Sequence, residues 1–181
     1  MKKTAALILV ISIGVLALWH IQAAPRARAQ AFLQALYTVP VGGQPSAVPD
    51  AADEEWDARH QAALARQCQA IAPLCTEDAL EAAVFTHAIA GGLAACEAAG
   101  ASCEVASLSL TEGERGAAYR QYAYTAALRL SLAGQSREVA VAGRVQMDGG
   151  LVSWSTWDAV TAADGGELPS LYAVIAQGTS Y

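Results

Sequence analysis

The chain has 181 residues, of which 54 % are hydrophobic and 15 % are charged, and this composition excludes a disordered protein. From residue 31 onward seven basic residues stand against seventeen acidic ones, and no lysine follows Lys3. Nucleic acids are bound by clustered lysine and arginine, so this charge balance argues against a nucleic-acid partner.

The N-terminal residues form an apolar stretch from Ala5 to Ala24, preceded by two lysines. A helix of this length spans about 30 Å, the thickness of a bilayer core, so a single-pass membrane anchor is predicted within residues 1–28. The alternative is a signal peptide that is cleaved near Ala29, because Ala27-Arg28-Ala29 supplies an Ala-x-Ala site. Both interpretations place the following domain, residues 29–162, outside the cytoplasm, either at the cell membrane or secreted.

Apolar residues at helical spacing predict three helices after the anchor. The first covers 29–37, and the proline- and glycine-rich residues 38–53 are typical of a loop. The second helix begins after Asp53 and ends before Pro73. The third covers 77–99, with Thr76 as its N-terminal cap.

The hydrophobic period changes from 3.6 to 2 after Cys103, which predicts a series of antiparallel strands. The four strands are 104–110, 119–133, 137–147 and 151–160. Tight turns are expected at Gly134-Gln135 and at Asp148-Gly149-Gly150. Strict alternation in the last strand places Val152, Trp154 and Val160 on one side, and Leu151 and Trp157 on the other. Residues 163–181 are interpreted as a C-terminal tail or an edge strand.

This element order predicts an α+β fold, in which about three helices pack on a curved antiparallel sheet of about four strands. The segment AYRQYAYTAALRLSLAGQSREVAVAGRVQMDGGLVSWSTWDAV (118–160) and the upstream AFLQALY (31–37) resemble the nuclear transport factor 2-like, or cystatin-like cone, superfamily. The resemblance implies a cone that encloses a pocket. Some members of that superfamily are isomerases, dehydratases or ligand binders, and many membrane-anchored members are non-catalytic parts of secretion or conjugation machinery.

The four cysteines form two Cys-x6-Cys pairs, Cys68 with Cys75 and Cys96 with Cys103. This spacing is too open for a zinc knuckle, and there is no Cys-x-x-Cys redox motif. A continuous helix over 77–99 would hold Cys75 about 30 Å from Cys96, which leaves the two within-pair disulfides. The alternative is four reduced, buried thiols that pack as small apolar residues.

The chain carries no recognisable catalytic motif, and neither a metal nor a cofactor is predicted. His60 and His87 are weak candidates for a general base, with Asp158 or Tyr122 nearby, but a lone histidine on an apolar helix face is more often structural. A candidate pocket or partner face is formed by Tyr122, Tyr124, Trp154 and Trp157. We therefore expect a non-catalytic, extracytoplasmic binding or assembly module that is tethered through residues 5–24 and binds another envelope protein. The alternative is a small-ligand or isomerase-type pocket in the same fold.

Overall fold

The computed structural model describes residues 24–40, 54–85, 96, 100–132, 135–162 and 165–168. Within these residues the chain folds as three α-helices followed by a five-stranded antiparallel sheet, so the predicted α+β class is confirmed. Helix α1 covers 24–37, α2 covers Glu54–Ile71 and α3 covers Glu77–Phe85, with a short 3-10 turn at Ala72–Leu74. The third predicted helix is described only to Phe85 and again at the helical residue Cys96.

The sheet is a meander in which each strand pairs with the next along the chain, in the order β1-β2-β3-β4-β5. Its strands are β1 Ser102–Arg115, β2 Tyr119–Leu132, β3 Gln135–Asp148, β4 Leu151–Ala162 and β5 Glu167–Leu168. The fifth strand lies in the segment that was predicted as a tail or an edge strand.

The β3–β4 hairpin has the two-residue turn that its sequence predicts. Gly149 and Gly150 both have positive φ, 56° and 87°, a backbone that glycine adopts without steric cost. At the preceding hairpin Gln135 already belongs to β3 and pairs with Leu132, so the prediction that Gln135 forms part of the turn is wrong. The two residues between them lie outside the described ones.

The core lies between the helices and one face of the sheet. Alternation in β2 and β3 is regular, and the residues of one face are buried: Tyr122, Tyr124, Ala126, Leu128, Leu130, Val139, Val141, Val145 and Met147. Helix α1 covers this face with Ala29, Phe32, Leu33, Leu36 and Tyr37, the spacing of one helical stripe.

Local contacts fix the ends of the helices. The Gln67 Nε2 group donates to the carbonyl oxygens of Ala35 and Leu36 at 3.4 and 3.2 Å, which ties α2 to the last turn of α1. Thr76 caps α3 as predicted, since its Oγ1 accepts the amide of Ala79 at 3.3 Å.

Two backbone pairings attach the connections to the sheet. Val39, just after α1, pairs antiparallel with Cys103 in β1, and Cys75 pairs parallel with Val152 in β4. Both contacts satisfy backbone groups on the outer edges of strands that would otherwise lack partners.

Helix α1 starts before the position that the sequence indicated. Its residues 24–28 lie within the segment that was assigned to the membrane anchor. In the parts of the chain that the structure describes, no helix is long and apolar enough to span a membrane. Residues 1–23, which hold nearly all of the predicted anchor, lie outside the described residues.

Candidate functional site

Two of the four predicted face residues, Tyr122 and Tyr124, belong to the core. They are only 2 % and 3 % exposed. The Tyr124 hydroxyl donates to the carbonyl oxygen of Thr156 at 2.9 Å, and its oxygen lies 2.7 Å from the Tyr37 hydroxyl. A hydroxyl has a single proton and a carbonyl can only accept, so Tyr37 must donate to Tyr124.

This chain of hydrogen bonds connects α1, β2 and β4 through the core. Burial raises the pKa of Tyr124 to about 12, and it outweighs the hydrogen bond from Tyr37, which lowers the pKa. The more distant charge of Asp158 raises the pKa further. Tyr124 is therefore a neutral hydrogen-bonding group near pH 7, which suits a structural role better than proton transfer.

The two tryptophans of the predicted face lie on opposite sides of the sheet. Trp154 pairs with Gln146, in the outward row of β3, whereas Trp157 pairs with Gly143, in the inward row. The prediction that Trp154 shares a side with Val152 and Val160 is therefore wrong. Register shifts after Val152 and after Trp157 cause the difference, because each adds one residue to β4 and so reverses the alternation.

The outer face around Trp154 carries an organised group of side chains, which we name the Trp154 patch: Arg144, Trp154, Thr156 and Asp158. Trp154 is 39 % exposed, a large apolar surface for a residue on the outside of a sheet. The Arg144 guanidinium lies over its ring, with Cζ 5.7 Å from the ring centroid. This is the arrangement of a cation–π contact.

Arg144 is held in place by Asp158 from the neighbouring strand. Its Nε and Nη2 groups donate to the two carboxylate oxygens of Asp158 at 3.1 and 3.4 Å, and Thr156 Oγ1 donates to Oδ1 at 3.2 Å. The hydrogen bond from Arg144 is the main reason that the pKa of Asp158 lies below its usual value. Both partners are about half exposed, so the pair orients Arg144 over Trp154 more than it stabilises the fold.

One of the two histidine candidates, His60, lies among the described residues. His60 is half-buried in α2, and His87 lies outside the described residues. Asp158, proposed as a partner for either histidine, is held by Arg144 on the outer face, whereas Tyr122 lies on the inner face. In the described part of the chain, no three His, Cys, Asp or Glu side chains could hold a metal ion.

The cysteines are arranged as two neighbouring pairs, and no disulfide joins the four of them in this structure. Burial, and then the neighbouring Cys68, raises the pKa of Cys75. Burial raises the pKa of Cys103 to about 12, with smaller contributions from Cys96 and Glu104. The pKa of Cys75 is raised in part by Cys68, and that of Cys103 in part by Cys96, which are the partners that the sequence predicts. The two disulfides themselves stay a prediction.

The Trp154 patch contains three residues that the sequence did not single out as a surface group. Alternation correctly places Arg144 outward, but the pairing with Trp154 and Asp158 depends on the two register shifts in β4. No match to this chain is found among protein-family models, curated proteins or solved structures. The resemblance to the nuclear transport factor 2-like superfamily therefore stays a prediction.

Proposed function

We propose that this protein is a non-catalytic binding or assembly module, tethered to the membrane and facing out of the cytoplasm, whose partner is another envelope protein. The observation that carries the proposal is the Trp154 patch. Tryptophan and arginine are among the residue types that are enriched in the few positions that dominate protein–protein affinity, and here an arginine is held above an exposed tryptophan. A catalytic role would need an activated group, and the tyrosine with the raised pKa is committed to core hydrogen bonds.

The outer face of the sheet leaves room for a partner to approach Trp154. Ala123 and Thr125 in β2 are exposed, and Ala123 pairs directly with Arg144. These short side chains form a flat floor beside the patch, so that a partner can reach the tryptophan ring and the guanidinium together. We infer that Trp154 provides the apolar contact and that Arg144 provides direction through its remaining donors.

The test uses photo-crosslinking from Ala123 in the full chain in its own cells. A photoreactive amino acid at this position should form one discrete protein adduct. Trp154→Ala should reduce that adduct at least about tenfold, as expected for a residue that contributes more than about 1.4 kcal/mol to binding. Trp157→Ala is the matched control, because Trp157 lies in the same strand with the same 39 % exposure but in the inward row.

The control variant should retain the adduct. Loss of the adduct in both variants would point to a general disturbance of β4. If position 123 forms no protein adduct in intact cells, the assembly function is wrong and the pocket alternative becomes the better one.

A further inference from the structure

The two cysteine pairs differ in how far solvent reaches them. Cys68, in the last turn of α2, is partly exposed, whereas Cys75, Cys96 and Cys103 are only 5 %, 1 % and 3 % exposed. A cysteine must be accessible to react with an external disulfide. The pair formed by Cys68 and Cys75 is therefore partly open to solvent in the folded protein, and the pair formed by Cys96 and Cys103 is covered.

The covered pair is enclosed by backbone hydrogen bonds. The Cys103 carbonyl oxygen accepts from the Val39 amide at 2.8 Å, and the Cys103 amide donates to the Val39 carbonyl oxygen at 3.0 Å. The Cys96 carbonyl oxygen accepts from the Ala101 amide at 2.8 Å. We expect an external disulfide to reach Cys96 or Cys103 only when this part of the structure opens locally.

Cys75 directly follows the short 3-10 turn Ala72–Leu74 at the end of α2. Its Sγ donates to the Ile71 carbonyl oxygen at 3.5 Å, and Cys68 is near enough to contribute to its raised pKa. Only the thiol has a proton to donate, so this hydrogen bond favours the reduced form of Cys75. The backbone of Cys75 pairs with Val152 in β4, which attaches this cysteine to the sheet.

We propose that Cys68 and Cys75 form a thiol–disulfide exchange site that works in the folded protein. Cys68 is the thiol that reacts with an external disulfide, and Cys75 is the thiol that resolves the product. Cys96 and Cys103 instead form a structural bridge, which closes before this part of the chain is buried. The inference rests on the within-pair assignment of the cysteines and does not depend on the Trp154 patch.

The exchange transfers two electrons in two steps. The Cys68 thiolate attacks one sulfur of the external disulfide, which forms a mixed disulfide and releases the first external thiol. The Cys75 thiolate then attacks the Cys68 sulfur of this mixed disulfide, which forms the Cys68–Cys75 bridge and releases the second external thiol. The two cysteines lose two electrons and two protons, and the external disulfide is reduced to two thiols. An external dithiol reverses the reaction by attacking the Cys68 sulfur.

Thiolate formation acts in the same direction as access. Burial raises the pKa of Cys68 and, to about 12, that of Cys103. Cys103 is therefore almost entirely protonated near pH 8, and a protonated thiol is not a nucleophile. The covered pair is slow to react both because its sulfurs are shielded and because its thiolate is scarce.

The test treats the reduced, folded full chain in detergent micelles with oxidised glutathione at pH 8, and peptide mapping by mass spectrometry locates each product. In Cys75→Ser the resolving thiol is absent, so a stable glutathione adduct should accumulate on Cys68. The serine hydroxyl can still donate to the Ile71 carbonyl oxygen. Cys68→Ser is the matched control, and its adduct on Cys75 should form at least about tenfold more slowly. The wild-type chain should form the Cys68–Cys75 bridge.

Two results with glutathione would overturn the proposal. One is an adduct on Cys96 or Cys103 of the folded protein that forms as fast as the adduct on Cys68. The other is a wild-type chain that keeps glutathione on Cys68 without forming the bridge to Cys75. In urea the four cysteines should react at similar rates, because the difference between the pairs comes from folding.

The oxidised wild-type chain gives a second measurement that needs no variant. Dithiothreitol should open the Cys68–Cys75 bridge at least about tenfold faster than the Cys96–Cys103 bridge, while the circular dichroism spectrum stays unchanged. If both bridges open together, and only as the spectrum of the folded protein is lost, then Cys68–Cys75 is a structural disulfide and the exchange site is refuted.

Discussion

The hydroxyl oxygen of Tyr124 occupies the space that a Cβ atom on Gly143 would need. The two residues pair across β2 and β3, and a Cβ at position 143 would lie 2.7 Å from this oxygen and 2.1 Å from the Thr156 carbonyl oxygen. The glycine therefore lets the tyrosine reach the next strand at the point where β4 departs from regular pairing. Gly143 is therefore needed because the Tyr124 hydroxyl and the Thr156 carbonyl lie too close to its Cα for any side chain.

Gly143→Ala is expected to destabilise the protein by at least about 2 kcal/mol, because the clash with the Thr156 carbonyl is with backbone and cannot be relieved by a side-chain rotation. The matched control is Gly113→Ala in β1, where the nearest atom to the new Cβ is 3.5 Å away. The control should change the free energy of unfolding by less than about 0.5 kcal/mol. Urea denaturation followed by circular dichroism measures both, and equal effects would contradict the close-approach argument.

Tyr124→Phe removes the hydroxyl but keeps the ring. The Thr156 carbonyl and the Tyr37 hydroxyl then lose their shared partner, so we expect a loss of about 1–3 kcal/mol. A double-mutant cycle with Tyr37→Phe should give a clearly non-additive result, since the two hydroxyls belong to one chain of hydrogen bonds. Additive losses in the cycle would show that the hydroxyls act independently.

The raised pKa of Tyr124 also predicts a pH dependence. A tyrosine whose pKa is 10 when unfolded and about 12 when folded binds its proton more tightly in the native state. Its contribution is complete below pH 10 and is lost as the pH rises toward 12. Cys103 has a raised pKa too and acts in the same direction from about pH 9. Unfolding measured between pH 8 and 12 should show a steep fall in stability that is shallower in Tyr124→Phe.

Most of the sheet could be predicted from the sequence because β2 and β3 keep a strict period of two. Their inward residues alternate without interruption from Tyr122 to Leu130 and from Val139 to Met147. The Asp-Gly-Gly turn fixes the register only as far as the Met147–Val152 pair. Beyond it, one extra residue reverses the two faces, and a second restores them before Val160.

Register shifts of this kind have no clear signature in a single sequence, so the positions of Trp154 and Trp157 could not be predicted by alternation. The same limit applies to β1, where a register shift lies between Val105 and Ser107. Ala106 is exposed there, although strict alternation would place it on the same face as the buried Leu110. The positions of these register shifts depend on contacts between elements that are distant in the sequence. The Tyr124 hydrogen bond to the shifted part of β4 is one such contact.

The thiol pairs give a prediction that depends on compartment. Exported protein should contain Cys68–Cys75 and Cys96–Cys103, each adding about 2–3 kcal/mol on the chain-entropy model. Burial raises the pKa of Cys68, Cys75 and Cys103, so spontaneous oxidation near pH 7 should be slow without a catalyst. Peptide mapping without reduction identifies the bridges. A bridge between the two pairs, such as Cys75–Cys96, would contradict the structure.

Arg26 and Arg28 provide a matched pair for testing whether residues 24–28 of α1 belong to the fold. The hydrogen bond from Arg26 to the Leu110 carbonyl oxygen is partly buried and provides a partner for a backbone group on the edge strand β1. Arg26→Ala in the full chain should therefore lower the free energy of unfolding by about 1–2 kcal/mol.

The Arg28 bond to Gly150 is exposed, and Arg28→Ala should cost less than about 0.5 kcal/mol. Thermal unfolding in detergent micelles measures both variants. A chain that is cleaved after Ala29 contains neither arginine, and both substitutions would then leave the mature protein unchanged. A lower melting temperature in Arg26→Ala alone would therefore show that residues before position 30 are retained and are part of the folded domain.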